Sequence, residues 1–128
     1  MNVLVLVLDS AAQLDVQDAD VLAVAPALNS RLRNWLNDDA EARRIAEERL
    51  VACLDRLERS GSNASGHVGD ADPVQAIADA LPTFAADEIV IASDSERTSA
   101  LGHRVAERAR ERFALPIHER AELLSRAA

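Results

Sequence analysis

The run of six aliphatic residues from Val3 to Leu8 (VLVLVL) limits what this chain can fold into more than any other feature of its sequence. An unbroken apolar run closed by a polar pair, here Asp9-Ser10, is typical of a strand that is covered on both faces. Two further runs of this kind follow, Val21 to Ala25 and Ile89 to Ala92. Because strands buried on both faces occur in parallel sheets flanked by helices, the sequence predicts an α/β protein.

The segment between Glu41 and Arg59 has helical periodicity instead. Its apolar side chains recur every three or four residues with charges between them, which predicts an amphipathic helix. Asn37 and Asp38 are expected to cap its start, and Ser60 to Asn63 (SGSN) is expected to end it. The apolar positions are Ala42, Ile45, Ala46, Leu50, Cys53, Leu54 and Leu57.

The rest of the chain continues the alternation of strands and helices. Ala64 to Val68 is predicted as a short, weak strand, and Pro73 to about Leu81 as a helix with proline in its first turn. Ser93 to Ser99 is predicted as a polar loop, and Leu101 to Phe113, with apolar residues four apart, as a second long helix. Leu115 to Ile117 is predicted to start a last strand, which the polar residues His118 to Arg120 (HER) then interrupt.

This alternation predicts a small doubly wound parallel sheet of Rossmann-like type, with helices on both faces and a single domain over residues 1–128. Hydrophobic residues make up 48% of the chain, and since only two are Phe, one is Trp and none is Tyr, the core must be aliphatic. Ligands of such sheets bind beyond the carboxyl ends of the strands. The candidate loops are therefore Asp9-Ser10, Gly69-Asp70 and Ser93 to Ser99.

Charge and cysteine content narrow the classes of partner. All 14 basic residues are Arg, and 22 Asp and Glu outnumber them to give a net charge of −8, which argues against nucleic acid and anionic membranes. The single cysteine, Cys53, cannot form an internal disulfide, and the first aliphatic run is too short for a signal peptide or a membrane span. These features predict a cytoplasmic protein.

The chain contains, in this order, the stretches VLVLDS, ADVLAVAPALNSRL, VGDADPVQAI, DEIVIAS and VAERARERF followed by ALPI. Together they resemble the universal stress protein superfamily, most closely its Arg- and Ala-rich actinobacterial members. The resemblance covers roughly residues 19–117 and rests on the order of elements more than on any one motif. It implies an adenine-nucleotide-binding type of fold in cytoplasmic, often dimeric proteins of the stress response, usually without a demonstrated chemical reaction.

The resemblance also implies a site. Asp9 matches the acid that many members place after the first strand to contact the adenosine part of ATP, where a carboxylate can accept hydrogen bonds from ribose hydroxyls. Gly69 and Asp70 match the loop after the third strand. The implied cofactor is ATP, and the candidate cofactor-binding residues are Asp9, Ser10, Gly69, Asp70, Ser93, Ser95, Thr98 and Ser99.

The loop after the fourth strand departs from the family pattern. ATP-binding members carry G-x-x-G-x9-G-[ST] there, and in this chain only Gly102 is a candidate remnant, at the wrong spacing. Asp94 and Glu96 would repel a triphosphate unless Arg97 or a metal compensates. These departures argue against tight ATP binding.

Both ends of the chain depart as well. Ser10 to Ala19 leaves only ten residues for the first crossover, so its helix is expected to be reduced or missing. The part of the sheet that such a loss uncovers would become an association surface, and we expect a homodimer. Where relatives continue a strand, Glu119 to Ala128 has a more helical pattern.

No catalytic or metal-binding motif accompanies these features. The sequence has no nucleophile elbow, P-loop or HExxH motif, and its three histidines lack the spacing of metal ligands, so we predict neither an enzyme nor a metal site. Cys53 is predicted to be a small buried side chain. Asp9 has an alternative role as the cap of a strand end or turn.

Three functions remain open at this point. The first is a stress-protein-like binding protein with an adenine-nucleotide pocket formed by Asp9, Gly69 and the loop Ser93 to Ser99. The second is an interaction or dimerisation module that keeps the fold and has lost ATP binding. The third is a weak nucleotide hydrolase.

Overall fold

The computed structural model describes residues 1–9, 18–28, 39–93 and 96–119, which form five strands and three helices. In chain order these elements are β1 (Asn2–Val7), β2 (Asp20–Pro26), α1 (Asp39–Arg59), β3 (Asn63–Gly69), α2 (Pro73–Ala80), β4 (Glu88–Ala92), α3 (Glu96–Arg112) and β5 (Ile117–Glu119). All five strands predicted from the sequence are therefore present, as are the three helices predicted after residue 40.

The strands form one sheet in the order β3-β2-β1-β4-β5, and every neighbouring pair runs parallel. β1 occupies the centre, where Leu4 lies beside Leu22 of β2 and Ile89 of β4. This arrangement confirms the predicted α/β fold with a doubly wound parallel sheet. The three aliphatic runs of the sequence are the three inner strands β2, β1 and β4, which explains why both of their faces are apolar.

The helices divide between the two faces of the sheet. α1 connects β2 to β3 and packs on one face through Ala46 and Leu57. α2 and α3 connect β3 to β4 and β4 to β5, and they pack on the other face through Ile77 and Val105. Because crossovers of one hand place helices on opposite faces when the chain reverses its direction across the sheet, this division follows from the strand order.

The side chains of β1 alternate between two aliphatic layers. Its valines pack in the layer under α1. Its leucines pack in the layer under α2 and α3, and so does Leu8, which directly follows the strand. None of them is more than 1% exposed. The valines are Val3, Val5 and Val7, and the leucines are Leu4, Leu6 and Leu8.

Gly61 ends α1 in the way the SGSN sequence predicts. Its φ of +92° lies in the left-handed region that glycine adopts without strain. The N–H of Gly61 donates to the carbonyl of Glu58, and the N–H of Ser62 donates to the carbonyl of Leu57, both at 3.1 Å. This pair of bonds is a Schellman cap, which satisfies carbonyls that the helix itself leaves without donors.

The predicted polar loop from Ser93 to Ser99 is wrong in its second half, because α3 begins at Glu96. Thr98 and Ser99 therefore lie in the first turn of a helix. Ser and Thr are favoured near helix starts, where their hydroxyls can reach backbone groups, so a polar composition does not distinguish a loop from a first turn.

The last strand lies further along the chain than predicted, because β5 begins at Ile117 and includes His118 and Glu119. Nε2 of His118 lies 3.2 Å from a carboxylate oxygen of Glu88, and a carboxylate oxygen of Glu119 lies 3.1 Å from Nδ1 of His103. Polar side chains on an edge strand can pair with neighbours in this way, so they do not interrupt the strand. The prediction of helix from Glu119 onward is wrong for that residue.

Other predictions fall outside the described residues. These are the caps Asn37 and Asp38, the first crossover except for its last two residues, and residues 120–128 of the predicted terminal helix.

Cys53 is a buried core residue, as predicted, and only 4% of it is exposed. Burial raises the pKa of its thiol to about 11, against the opposing charge of Arg56. At about pH 8 only about one thousandth of the thiol is ionised, so we expect negligible reaction with an aromatic disulfide reagent in the native protein. The same assay in concentrated guanidinium should give one thiol per chain, and rapid labelling without denaturant would contradict the burial.

Candidate functional site

The direction of the chain across the sheet reverses between β1 and β4. β1 leads to β2 on one side of the sheet, whereas β4 leads to β5 on the other. The segments that leave these two strands therefore diverge, and in open parallel sheets the crevice between them is where ligands bind. In this protein the crevice lies beyond Val7 of β1 and Ala92 of β4, which are paired in register.

Two of the predicted site residues meet at this crevice. The hydroxyl of Thr98 donates a hydrogen bond of 3.1 Å to a carboxylate oxygen of Asp9, across 89 positions of sequence. Both residues are partly buried. Since Thr98 is in the first turn of α3, the negative charge of Asp9 lies near the positive end of that helix, which stabilises an anion.

Ser93 follows β4 in the same crevice and contacts Gly102 of α3. A Cβ atom on Gly102 would lie 2.8 Å from Oγ of Ser93, so the glycine permits close packing of the helix against the end of the strand. Gly102 is buried. Its backbone is therefore engaged in packing, which gives this glycine a role other than the cradling of phosphates.

Pro26 limits the backbone pairing beside the crevice. The β1–β2 register runs from Asn2 with Asp20 to Leu6 with Val24, and the N–H of Asp20 donates to the carbonyl of Met1, just before β1. Alternate residues of β2 point their N–H groups toward β1. After residues 20, 22 and 24, the next donor in this series would be the N–H of residue 26. Proline has no N–H, so β2 offers the carbonyl of Val7 no hydrogen bond.

Gly69 ends β3 and Asp70 follows it, at the same end of the strands but two strands away from β1. At the usual strand spacing this places them about 10 Å from the end of β1. The carboxylate of Asp70 accepts the N–H of Asp72 at 2.8 Å, and the carboxylate of Asp72 accepts the N–H of Val74 at 3.1 Å. Asp70 and Asp72 thus build the turn and the cap that start α2.

Gly69 has a packing role as well. A Cβ atom there would lie 2.8 Å from Cγ1 of Val24 and 2.9 Å from Cβ of Ala76, so this glycine allows α2 to approach the sheet closely. Of the remaining predicted residues, Ser99 is exposed on α3, whereas Ser10 and Ser95 lie outside the described residues. The structure therefore brings Asp9 and Thr98 together and leaves Gly69 and Asp70 apart from them.

A second polar cluster joins α3 to β5. His103 lies between the carboxylates of Glu107, at 3.0 Å, and Glu119, at 3.1 Å, and Arg110 lies 3.7 Å from Glu119. The hydrogen bond to Glu119, followed by the charge of Glu107, raises the pKa of His103 above its ordinary value. Among the residues that the structure describes, no group of three or more His, Cys, Asp or Glu side chains is arranged to hold a metal ion.

A groove of about 600 Å³ lies along one face of α1, and none of the predicted site residues that the structure describes lines it. Its lining residues are Arg44, Glu47, Glu48, Val51, Ala52 and Asp55. Within the described ranges, no helix has the length and the apolar character needed to cross a membrane.

Comparisons with protein-family models and with curated proteins add no relative to these observations. No protein-family model matches the chain, and no curated protein matches it significantly. The case for a function therefore rests on the fold and on the residues of the crevice.

Proposed function

We propose that this protein is a universal-stress-protein-like binding protein that takes the adenosine part of an adenine nucleotide in the crevice between β1 and β4. The hydrogen bond between Asp9 and Thr98 carries the proposal, because it brings two predicted site residues together where the strand order reverses. The buried, free Cys53 is consistent with the reducing cytoplasm in which we propose that the protein acts.

Asp9 is the side chain that we assign to the ligand. A carboxylate accepts several hydrogen bonds through the lone pairs of its two oxygens, so Asp9 can accept from ribose hydroxyls as well as from the Thr98 hydroxyl. Hydrogen bonds to a charged acceptor are stronger than those between neutral groups. This assignment makes the sugar, rather than the phosphates, the part of the nucleotide that is recognised.

Charge also favours the nucleoside part over the triphosphate. The chain carries a net charge of −8, and Asp9 adds a carboxylate at the crevice itself. Gly102 packs against Ser93, so a glycine-rich phosphate cradle has no counterpart at this position. We therefore propose that the protein binds the nucleotide weakly, with its phosphates toward solvent and without turnover.

Calorimetric titration of ATP and of adenosine into the wild-type protein and two crevice variants tests the assignment. Asp9→Ala should weaken binding about tenfold or more, because it removes a charged acceptor from the ribose. Thr98→Val removes the hydroxyl that bonds to Asp9 and leaves the carboxylate in place, so it should alter affinity much less. Asp79→Ala makes the same charge change on the exposed face of α2, where Asp79 bonds to Gln75, and serves as the matched control.

The alternative role of Asp9 gives a different pattern. If Asp9 only ties the end of β1 to α3, Asp9→Ala and Thr98→Val should lower the thermal midpoint alike and leave nucleotide affinity equal to that of Asp79→Ala. The absence of measurable binding to the wild-type protein at millimolar nucleotide would contradict the proposal as a whole.

One observation favours an interaction module as the second candidate. Gly69 and Gly102 are both occupied by close packing, and Asp70 by the turn before α2, so three of the features expected of a nucleotide loop have structural roles. A fold that has lost its ligand would act through its surfaces.

A further inference from the structure

β5 is a short edge strand whose side chains contribute to its attachment. It has three residues and pairs with β4 alone among the described strands, so few backbone hydrogen bonds hold it in place. Ile117 is buried in the layer under α2 and α3, and Nε2 of His118 lies 3.2 Å from a carboxylate oxygen of Glu88 on β4. Glu119, the last residue of the strand, contacts His103 of α3. The end of β5 is therefore held to the helix by an ionisable side chain.

Both ring nitrogens of His103 contact carboxylates. Nε2 lies 3.0 Å from Oε1 of Glu107, one turn further along α3, and Nδ1 lies 3.1 Å from Oε1 of Glu119 on β5. An ionised carboxylate only accepts hydrogen bonds, so each contact requires an N–H on the ring. Neutral imidazole has one N–H and imidazolium has two, so only the protonated ring satisfies both contacts. Loss of the proton leaves one carboxylate opposite a nitrogen lone pair.

Arg110 supplies a part of the attachment that does not titrate. Its Nη2 donates to the carbonyl of Ile117 at 2.9 Å, and its Nη1 lies 3.7 Å from Oε1 of Glu119. An arginine side chain keeps its charge across the physiological pH range, so the start of β5 is held throughout that range. The charged groups that face His103 are Glu107 from its own helix and Glu119 from β5, and Glu119 is shared with Arg110.

Proton binding by His103 is coupled to its contact with β5. The hydrogen bond to Glu119 is the main cause of the raised pKa of His103, and the charge of Glu107 adds to it. Such coupling is reciprocal, so a contact that strengthens proton binding is itself weakened when the proton leaves. The stabilising contribution is complete below about pH 6.5, the ordinary pKa of histidine, and is lost as the pH rises through the higher pKa of the folded protein.

We propose that His103 is a pH-sensitive latch on the end of β5. With the ring protonated, Glu119 is fastened to α3, and with the ring neutral the end of the strand is loosened. The His103 side chain is 60% exposed, so the latch acts locally and leaves the fold intact. The β5 edge of the sheet is thus firmer in mildly acidic than in mildly alkaline solution.

Amide hydrogen exchange of β5 at about pH 5.5 and about pH 8.5 tests the latch, because these values lie on either side of the titration of histidine. The results are compared as protection factors, which correct for the intrinsic dependence of exchange on pH. In the wild-type protein we expect the protection of β5 to fall about twofold to fivefold between the two values. Magnetic resonance titration of the His103 ring gives its pKa in the same samples.

Glu119→Gln separates this effect from other titrations, because it removes the carboxylate on β5. The pKa of His103 should move toward its ordinary value, and the fall in β5 protection should be smaller by the factor that this change in pKa represents. His118 and Glu88 are present in both proteins, so any titration of that pair cancels in the comparison. Glu111→Gln makes the same charge change at an exposed position of α3 outside these contacts, and it should leave both quantities at their wild-type values.

His103→Gln is a second variant, with far-ultraviolet circular dichroism as the check on folding. It should lower the protection of β5 at about pH 5.5 and have little effect at about pH 8.5, where the wild-type ring is neutral. An equal loss at both pH values would show a structural role without a latch and would overturn the proposal. So would a pKa of His103 that Glu119→Gln leaves unchanged, or a fall in β5 protection that is the same in Glu119→Gln as in the wild type.

Discussion

Replacing Leu6 with alanine is expected to lower the free energy of unfolding by about 2–5 kcal/mol. Leu6 is fully buried in the central strand, in register with Val24 of β2 and Ile91 of β4, and all three belong to the layer under α2 and α3. Removing its side chain leaves a cavity between elements that are paired on both sides and cannot close it. Urea denaturation followed by circular dichroism measures the loss.

Val51→Ala is the matched control for this prediction. Val51 is an aliphatic residue on α1, but 66% of it is exposed, so its truncation should change the free energy of unfolding by no more than about 0.5 kcal/mol. The denaturant dependence should be the same for both variants, because neither changes the surface exposed on unfolding appreciably. Equal losses for Leu6→Ala and Val51→Ala would contradict the central placement of β1.

Replacing Gly66 with alanine is expected to cost about 1–3 kcal/mol, although the residue is exposed. A Cβ atom there would overlap the backbone carbonyl of Ala23 and come within 2.7 Å of Cδ1 of Leu50. The Leu50 side chain can rotate, but the carbonyl of Ala23 belongs to the β2 strand and can move only with it. Thermal or urea unfolding would show the loss as a lower midpoint.

Ser65→Ala, at the neighbouring exposed position of β3, isolates this steric effect. It removes only an exposed hydroxyl and adds no atom near Ala23, so the stability of this variant should stay close to that of the wild type. If Gly66→Ala were as stable as Ser65→Ala, the close approach of β3 to β2 and α1 would be incorrect.

The strands that the sequence shows best are those buried on both faces. β1, β2 and β4 stand out as aliphatic runs because each is flanked by strands on both sides and covered by apolar layers. β3 has one neighbouring strand and an exposed outer edge, so its sequence NASGHVG carries little hydrophobic signal. The parallel sheet is predictable from the alternation of elements, whereas the order of strands becomes evident only in three dimensions.

The candidate site was predictable only in part, because the sequence does not show the order of the strands. Asp9 and Thr98 follow the two strands between which the chain reverses, and the structure joins them. Gly69 and Asp70 also follow a strand, but β2 separates that strand from β1. A one-dimensional pattern identifies which residues end strands, and it does not reveal which strand ends are adjacent.

Two structural features had a signal that sequence reasoning passed over. Gly66 is an isolated glycine inside a strand, which often marks a close approach of backbone or side chains. Pro26 ends an apolar run and withholds a hydrogen bond from the neighbouring strand at the crevice. In both cases the residue type indicates a local exception, and the structure identifies the atoms concerned.

The central position of β1 has a consequence for synthesis. The backbone N–H of Asn2 bonds to the carboxylate of Asp87, 85 residues later, and β1 pairs along its length with β4. β1 must therefore wait until β4 has been synthesised before one of its two edges is covered. We expect nascent chains that end before β4 to depend on chaperones, since aggregation competes with such delayed long-range pairing.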